Sequence, residues 1–76
     1  MNVMFAGGDK MVARLKVERV KKGWTQEELA KESDVGRVTI SNIERKGIKN
    51  IPVYTLEKLA KALDMKVAEL FFSEEE

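Results

Sequence analysis

The stretch TQEELAKESDVGRVTISNIER, residues 25–45, decides the fold. Thr25 is followed three residues later by Glu28, which is the spacing of a capping box and predicts that a helix begins there. This helix runs to about Ser33 and is interrupted by residues 34–36. Another helix follows these residues, with apolar residues at helical spacing up to the end of the stretch. The stretch therefore predicts two short helices joined by three residues.

Two short helices with so brief a connection cannot lie antiparallel and have to cross steeply, which is the helix-turn-helix arrangement. Such a crossing needs a small residue where the two axes approach, and Ala30 stands in the middle of the helix that begins at Thr25. Apolar contacts on both sides of the crossing can come from Leu29, Val35, Ile40 and Ile43. We therefore place a helix-turn-helix at the centre of the chain.

Further helices are expected on both sides of this pair. Residues 9–22 place apolar side chains at helical spacing and are followed by Gly23, a typical residue just beyond a helix end. Thr55 is predicted to cap a fourth helix, and residues 67–71 a short fifth one. The prediction is an all-α, compact five-helix bundle.

We divide the chain into three parts. They are a flexible N-terminal arm over residues 1–8, one helical domain over 9–72 and an acidic tail over 73–76. A total of 76 residues leaves room for a single domain.

Composition excludes several classes of protein. The chain has no Cys and no His, so it lacks disulfides, a thiolate nucleophile and the commonest general base and metal ligand. We therefore expect no enzyme, no metal and no cofactor. Its apolar runs are far shorter than the roughly 18 residues of a membrane span, and its start has no basic leader. A cytoplasmic protein without a membrane partner is expected.

The net charge of +1 is distributed unevenly. Basic residues dominate residues 10–22 and 37–49, whereas the charged residues of the last ten positions are all Glu. Two basic segments that flank an acidic one favour a polyanion-binding face. Solvated helix surfaces are the alternative.

The sequence resembles the Cro/repressor (XRE-type) helix-turn-helix family of transcriptional regulators over roughly residues 12–71. Several motifs agree in order and at family-like spacing: Thr25-Gln26, Leu29-Ala30, Ile40-Ser41, Ile43-Glu44-Arg45 and LAKAL at 59–63. The resemblance implies a lambda-repressor-like fold. It also implies a homodimer that binds double-stranded operator DNA with its third helix in the major groove.

The sequence departs from the family pattern at two positions of the turn. Asp34 stands where Gly is usual, and Asp tolerates the positive φ that this position commonly needs. Gly36 stands where a Ser or Thr cap is usual, so the third helix begins with a weaker cap.

Base readout is implied for the exposed face of the third helix. The residues are Arg37, Val38, Thr39, Ser41 and Asn42. The Arg37 fork matches the acceptors of guanine, Asn42 could read adenine, and Val38 or the methyl of Thr39 could pack on thymine. A solvated helix charge is the alternative for Arg37.

The resemblance implies phosphate contacts at the start of the second helix, for Thr25 and Gln26. It also implies phosphate contacts after the third helix, which is the recognition helix, for Arg45, Lys46 and Lys49. Lys49 could equally be a loop charge. The family further implies a structural salt bridge between Arg19 and Glu44.

A dimer surface is implied at the C-terminal end, where apolar residues exceed what one small core can bury. Its residues are Met65, Val67, Leu70, Phe71 and Phe72. Two partly exposed aromatic residues on a monomer are the alternative. Adjacent Phe71 and Phe72 cannot both point inward from one short helix.

We expect no small-molecule effector domain, because 76 residues leave room for one small domain. Residues 49–72 resemble most closely the controller proteins of restriction–modification systems, and a Cro-like repressor is a related possibility. The rival hypotheses are an antitoxin-like protein-interaction module with the same fold and a carboxylate-based enzyme, against which the missing cleft and missing catalytic constellation argue. The sequence leaves open whether the regulator represses or activates and whether it contacts RNA polymerase.

Overall fold

The computed structural model describes residues 14–72, and the regular structure among them is entirely helical. The helices are α1 (14–21), α2 (Gln26–Ser33), α3 (Arg37–Lys46), α4 (Val53–Ala62) and the π-helical segment α5 (Ala68–Phe72). The predicted arm, the predicted start of the first helix and the acidic tail lie outside the described residues.

Helix α2 begins with the capping box that the sequence predicts. The Thr25 hydroxyl accepts a hydrogen bond from the Glu28 amide at 3.1 Å, and the Glu28 carboxylate accepts one from the Thr25 amide at 2.8 Å. The helix ends at Asp34, which has the left-handed conformation (φ 62°) and donates its amide to the Ala30 carbonyl at 2.9 Å. Both predictions for this part of the chain are confirmed.

Helix α3 follows after only two further residues. Gly36 precedes it and provides no side-chain cap, as expected. Arg45 and Lys46 occupy its last turn, where positive charge interacts favourably with the helix dipole. Gly47 then ends the helix with φ 94°, a conformation that a residue with a Cβ rarely adopts.

The prediction that Thr55 caps the fourth helix is wrong. The N-cap residue is Pro52, which has an extended conformation (φ −60°, ψ 146°) and provides no side-chain cap. The Pro52 carbonyl then accepts the Thr55 amide at 3.0 Å, so Thr55 lies inside the first helical turn.

One hydrophobic core receives side chains from all five helices. Helix α2 packs against both α3 and α4, so it joins the helix-turn-helix to the helix that follows it. Full burial of each large side chain contributes about 1.5–3 kcal/mol. The buried residues are Leu15, Leu29, Val35, Ile40, Ile43, Leu56, Leu59, Ala60, Leu63, Leu70 and Phe71. Ala30, expected at the helix crossing, is half-buried.

Helix α5 directs adjacent side chains in different directions. Leu70 and Phe71 are both fully buried, whereas Phe72 is 54% exposed. The wide π turn sets successive side chains at a smaller angle than an α-helix does, so two neighbours can enter one core. Leu70 and Phe71, predicted for a dimer surface, fill the chain's own core instead. Met65, Val67 and Phe72 are left for that role.

The difference between the two adjacent aromatic residues can be measured. We expect Phe71→Ala to lower the free energy of unfolding by about 3–5 kcal/mol, because it leaves a cavity in the core. Phe72→Ala should change it by only about 0.5 kcal/mol. Urea unfolding of both variants, followed by circular dichroism at low protein concentration, tests this. Equal losses would show that α5 is placed wrongly.

Candidate nucleic-acid interface

A buried ion pair joins α1 to α3. Arg19 is 8% exposed and the Glu44 side chain 4%. Nε of Arg19 donates to Oε2 of Glu44 at 2.8 Å, and Nη2 donates to Oε1 at 3.1 Å. Nη1 of Arg19 donates to the Trp24 carbonyl at 2.8 Å. The structure thus contains the pair that the family resemblance implies, in the bidentate geometry that guanidinium and carboxylate favour.

Gln26 connects this pair to the start of α2. Its Nε2 donates to Oε1 of Glu44 at 3.0 Å, so one carboxylate holds side chains from α1, α2 and α3. Among residues 14–72, every buried side-chain nitrogen or oxygen has a hydrogen-bond partner. The network therefore fixes the first turn of α2 next to α3 without leaving an unpaired polar group.

The orientation of Gln26 changes what the start of α2 can offer to a phosphate. Its side-chain amide nitrogen points to Glu44, so the free backbone amides of the first turn are the main donors there. Glu27 and Glu28 add negative charge in the same turn. Positive charge for a polyanion has to come from other residues.

The outward face of α3 is defined by helical geometry. Residues advance by about 100° each, so Val38, Asn42 and Arg45 lie on the stripe opposite buried Ile40 and Ile43. Val38 is 72% exposed. The stripe thus presents an apolar side chain, an amide and a cation to solvent.

The other predicted readout residues flank this stripe. Arg37 is exposed in the first turn of α3, whereas Thr39 and Ser41 are half-buried at its two edges. All five readout residues thus lie on one helix, but Thr39 and Ser41 have less free surface than Arg37 and Val38.

The exposed charges of α3 are all positive. They belong to Arg37, Arg45 and Lys46, because Glu44 is buried in the ion pair. Lys49 is exposed in the loop that follows. The groove between α4 and α5 is different, since Glu57, Lys61, Asp64, Lys66 and Glu69 line it with both signs of charge. Of these two surfaces, α3 is the one suited to a polyanion.

Sequence reasoning missed two links in this region. The Gln26–Glu44 hydrogen bond spans eighteen residues and has no local signature. The Asn42 Oδ1 atom accepts a hydrogen bond from Nη2 of Arg45 at 2.8 Å. The three-residue spacing of that pair is one at which helical side chains meet, so the sequence did carry a signal for it.

Residues 14–72 contain neither a membrane span nor a cluster of metal ligands. That part of the chain has no helix long and apolar enough to cross a membrane. It also has no group of three or more acidic side chains close enough together to hold a metal ion.

Comparison with known proteins gives consistent matches. A family model described as helix-turn-helix matches residues 15–70. A protein of Neisseria meningitidis serogroup B, named a hypothetical transcription factor, is 39% identical over 62 residues, which are 82% of this chain and 58% of that protein. The chain thus spans less than two thirds of that relative's length.

Two solved structures are similar in fold as well as in sequence. The crystal structure of the hypothetical transcription factor NHTF from Neisseria has a TM-score of 0.72 and 37% identity, over 82% of this chain and 70% of that one. The SinR protein, in a complex with the SinI protein, has a TM-score of 0.75 and 33% identity, over 83% and 61%. The predicted family and all-α fold are confirmed. The controller subgroup stays a prediction.

The ion pair should dominate the stability of this region. We expect Glu44→Ala to lower the free energy of unfolding by about 3–5 kcal/mol, because it leaves the buried Arg19 guanidinium unpaired. Glu57→Ala is the matched control: Glu57 is exposed on α4, and its loss should cost no more than about 0.5 kcal/mol. Thermal and urea unfolding measure both. A Glu44→Ala curve that coincided with wild type would contradict the account.

Proposed function

The chain belongs to the XRE-type helix-turn-helix family of transcription factors, and we propose that it is a sequence-specific regulator that binds double-stranded DNA with α3 in the major groove. The observation that supports this most directly is the charge of α3, whose exposed charged residues are all basic while its acid is buried. This role involves binding and no catalysis, and it places the protein on the nucleoid in the cytoplasm.

Base readout comes from the first turns of α3 in this proposal. The planar fork of Arg37 can donate two hydrogen bonds to O6 and N7 of one guanine, and exposed Val38 can pack on a thymine methyl. Thr39 and Ser41 lie at the two edges of this helix face. Because they are half-buried, they have less surface available for contacts with bases.

Phosphate contacts frame the recognition helix in this proposal. The free Gln26 amide meets the backbone on one side, because the capping box already uses the Thr25 amide, and Arg45, Lys46 and Lys49 supply positive charge on the other. Such contacts set the position of the protein on the duplex but carry no sequence information.

A homodimer completes the proposed DNA-binding unit. Met65 and Val67 line the open groove between α4 and α5, and Phe72 exposes an aromatic ring at the same end of the chain. A two-fold pair through this surface would place two α3 helices about 34 Å apart, on successive major grooves. The operator would then be a palindrome of two half-sites.

One narrower role is compatible with this activity, and one rival role would replace it. The resemblance of residues 49–72 supports a controller protein of a restriction–modification system, for which the operator would lie next to the genes of that system. The second candidate is a protein-interaction module. It is favoured by exposed Val53 and Tyr54 on α4, and SinR, a similar protein, is known in a complex with SinI.

Selection from a random duplex library tests the proposed function. We expect wild type to enrich a two-fold symmetric site, with affinity that falls steeply as salt rises. Arg37→Ala should weaken binding by about 1–3 kcal/mol and reduce the sequence specificity at one base-pair position of the site. Lys31→Ala, which removes an exposed cation from the last turn of α2, is the control and should leave the base preference unchanged. If wild type enriches no sequence and Arg37→Ala binds DNA as wild type does, the protein-interaction module is favoured.

The dimer surface has its own test. We expect Phe72→Glu to shift the protein from dimer to monomer in sedimentation equilibrium, because the carboxylate would be desolvated in the interface. Val20→Glu is a matched control on α1, since Val20 is 56% exposed and Phe72 54%. If the two variants sediment alike, the dimer does not form through Phe72.

A further inference from the structure

The contact between Asn42 and Arg45 orients the side-chain amide of Asn42 on the surface of α3. Nη2 of Arg45 donates to Oδ1 of Asn42 at 2.8 Å, and both residues lie on the outward stripe of α3. Arg45 is exposed and Asn42 is half-buried, so this hydrogen bond runs along the helix surface that would face the groove. The pair can therefore act on DNA as one unit.

The Asn42–Arg45 pair offers more hydrogen-bond donors than acceptors to the groove. An Asn side chain has one carbonyl oxygen as acceptor and an NH₂ group with two donors. Bidentate recognition of adenine uses the oxygen for N6 and the nitrogen for N7. Arg45 occupies one of the two lone pairs of Oδ1, so the NH₂ group of Asn42 and the remaining N–H groups of Arg45 give this surface more donors than acceptors.

We infer that Arg45 is a positioning residue that holds Asn42 with its amide directed into the groove, and that the pair selects guanine. This inference rests on the proposed function. Guanine is the base that presents two acceptors, N7 and O6, in the major groove, so it complements a donor surface best. The assignment replaces adenine as the expected partner of Asn42 and moves Arg45 from the phosphate contacts to base selection.

Lys46 provides the matched comparison. It neighbours Arg45 in the last turn of α3 and is likewise an exposed cation, but it lies about 100° further around the helix, at the edge of the outward stripe. A residue that only contacts phosphate weakens all sequences alike, whereas a positioning residue changes the preference for one base.

Base-preference profiles of the selected operator test the inference. The proteins compared are wild type, Asn42→Ala, Arg45→Met, Lys46→Met and the double variant Asn42→Ala/Arg45→Met. We expect Asn42→Ala and Arg45→Met to lose the guanine preference at the same position, by about five- to tenfold. In Arg45→Met the released Oδ1 should also raise the relative affinity for adenine there. The double variant should lose no more preference than Asn42→Ala alone, and Lys46→Met should keep the wild-type profile.

Two results would overturn the inference while the proposed function stands. One is a uniform loss of affinity in Arg45→Met, equal to that in Lys46→Met, which would make Arg45 a phosphate contact. The other is a wild-type preference for adenine that Asn42→Ala removes. If wild type selects no sequence, the proposed function and this inference both fail. Circular dichroism of each variant verifies that the helices are intact.

Discussion

Glu44 connects three helices, because its carboxylate accepts hydrogen bonds from Arg19 on α1 and Gln26 on α2 while it stands on α3. A buried charge costs several kcal/mol unless it is paired and its hydrogen bonds are satisfied, so the three residues have few other arrangements available. The carboxylate thus adds a polar constraint to the apolar packing that joins α2 and α3. The direction in which α3 points from the domain depends on it too.

The same ion pair shapes the electrostatics of the proposed DNA-binding face. Burial removes the only acid of α3 from solvent, so the helix is positive on its surface although the chain carries a net charge of only +1. Both signs of charge line the groove between α4 and α5. Fold stability and the proposed recognition of a polyanion thus depend on one interaction.

Local signals and the family resemblance together account for what could be predicted from the sequence. The capping box of Thr25 and Glu28 is a local signal, whereas the positive φ of Asp34 and the pairing of Arg19 with Glu44 were implied by the resemblance. The inward direction of Leu70 beside Phe71 could not be predicted, because the π turn forms only against the rest of the core. The Gln26 contact was missed for a similar reason: the fold alone brings it to Glu44.

The most direct test of the account is to map amide chemical shifts of the labelled chain as the selected duplex is added. We expect the largest changes at the start of α2 and along α3, with small ones on the outer face of α4 and on α5 beyond those that dimerisation itself produces. This pattern would place α3 against DNA in the orientation that the Glu44 network sets. Changes concentrated on α4 and α5, with α3 unaffected, would contradict the central claim.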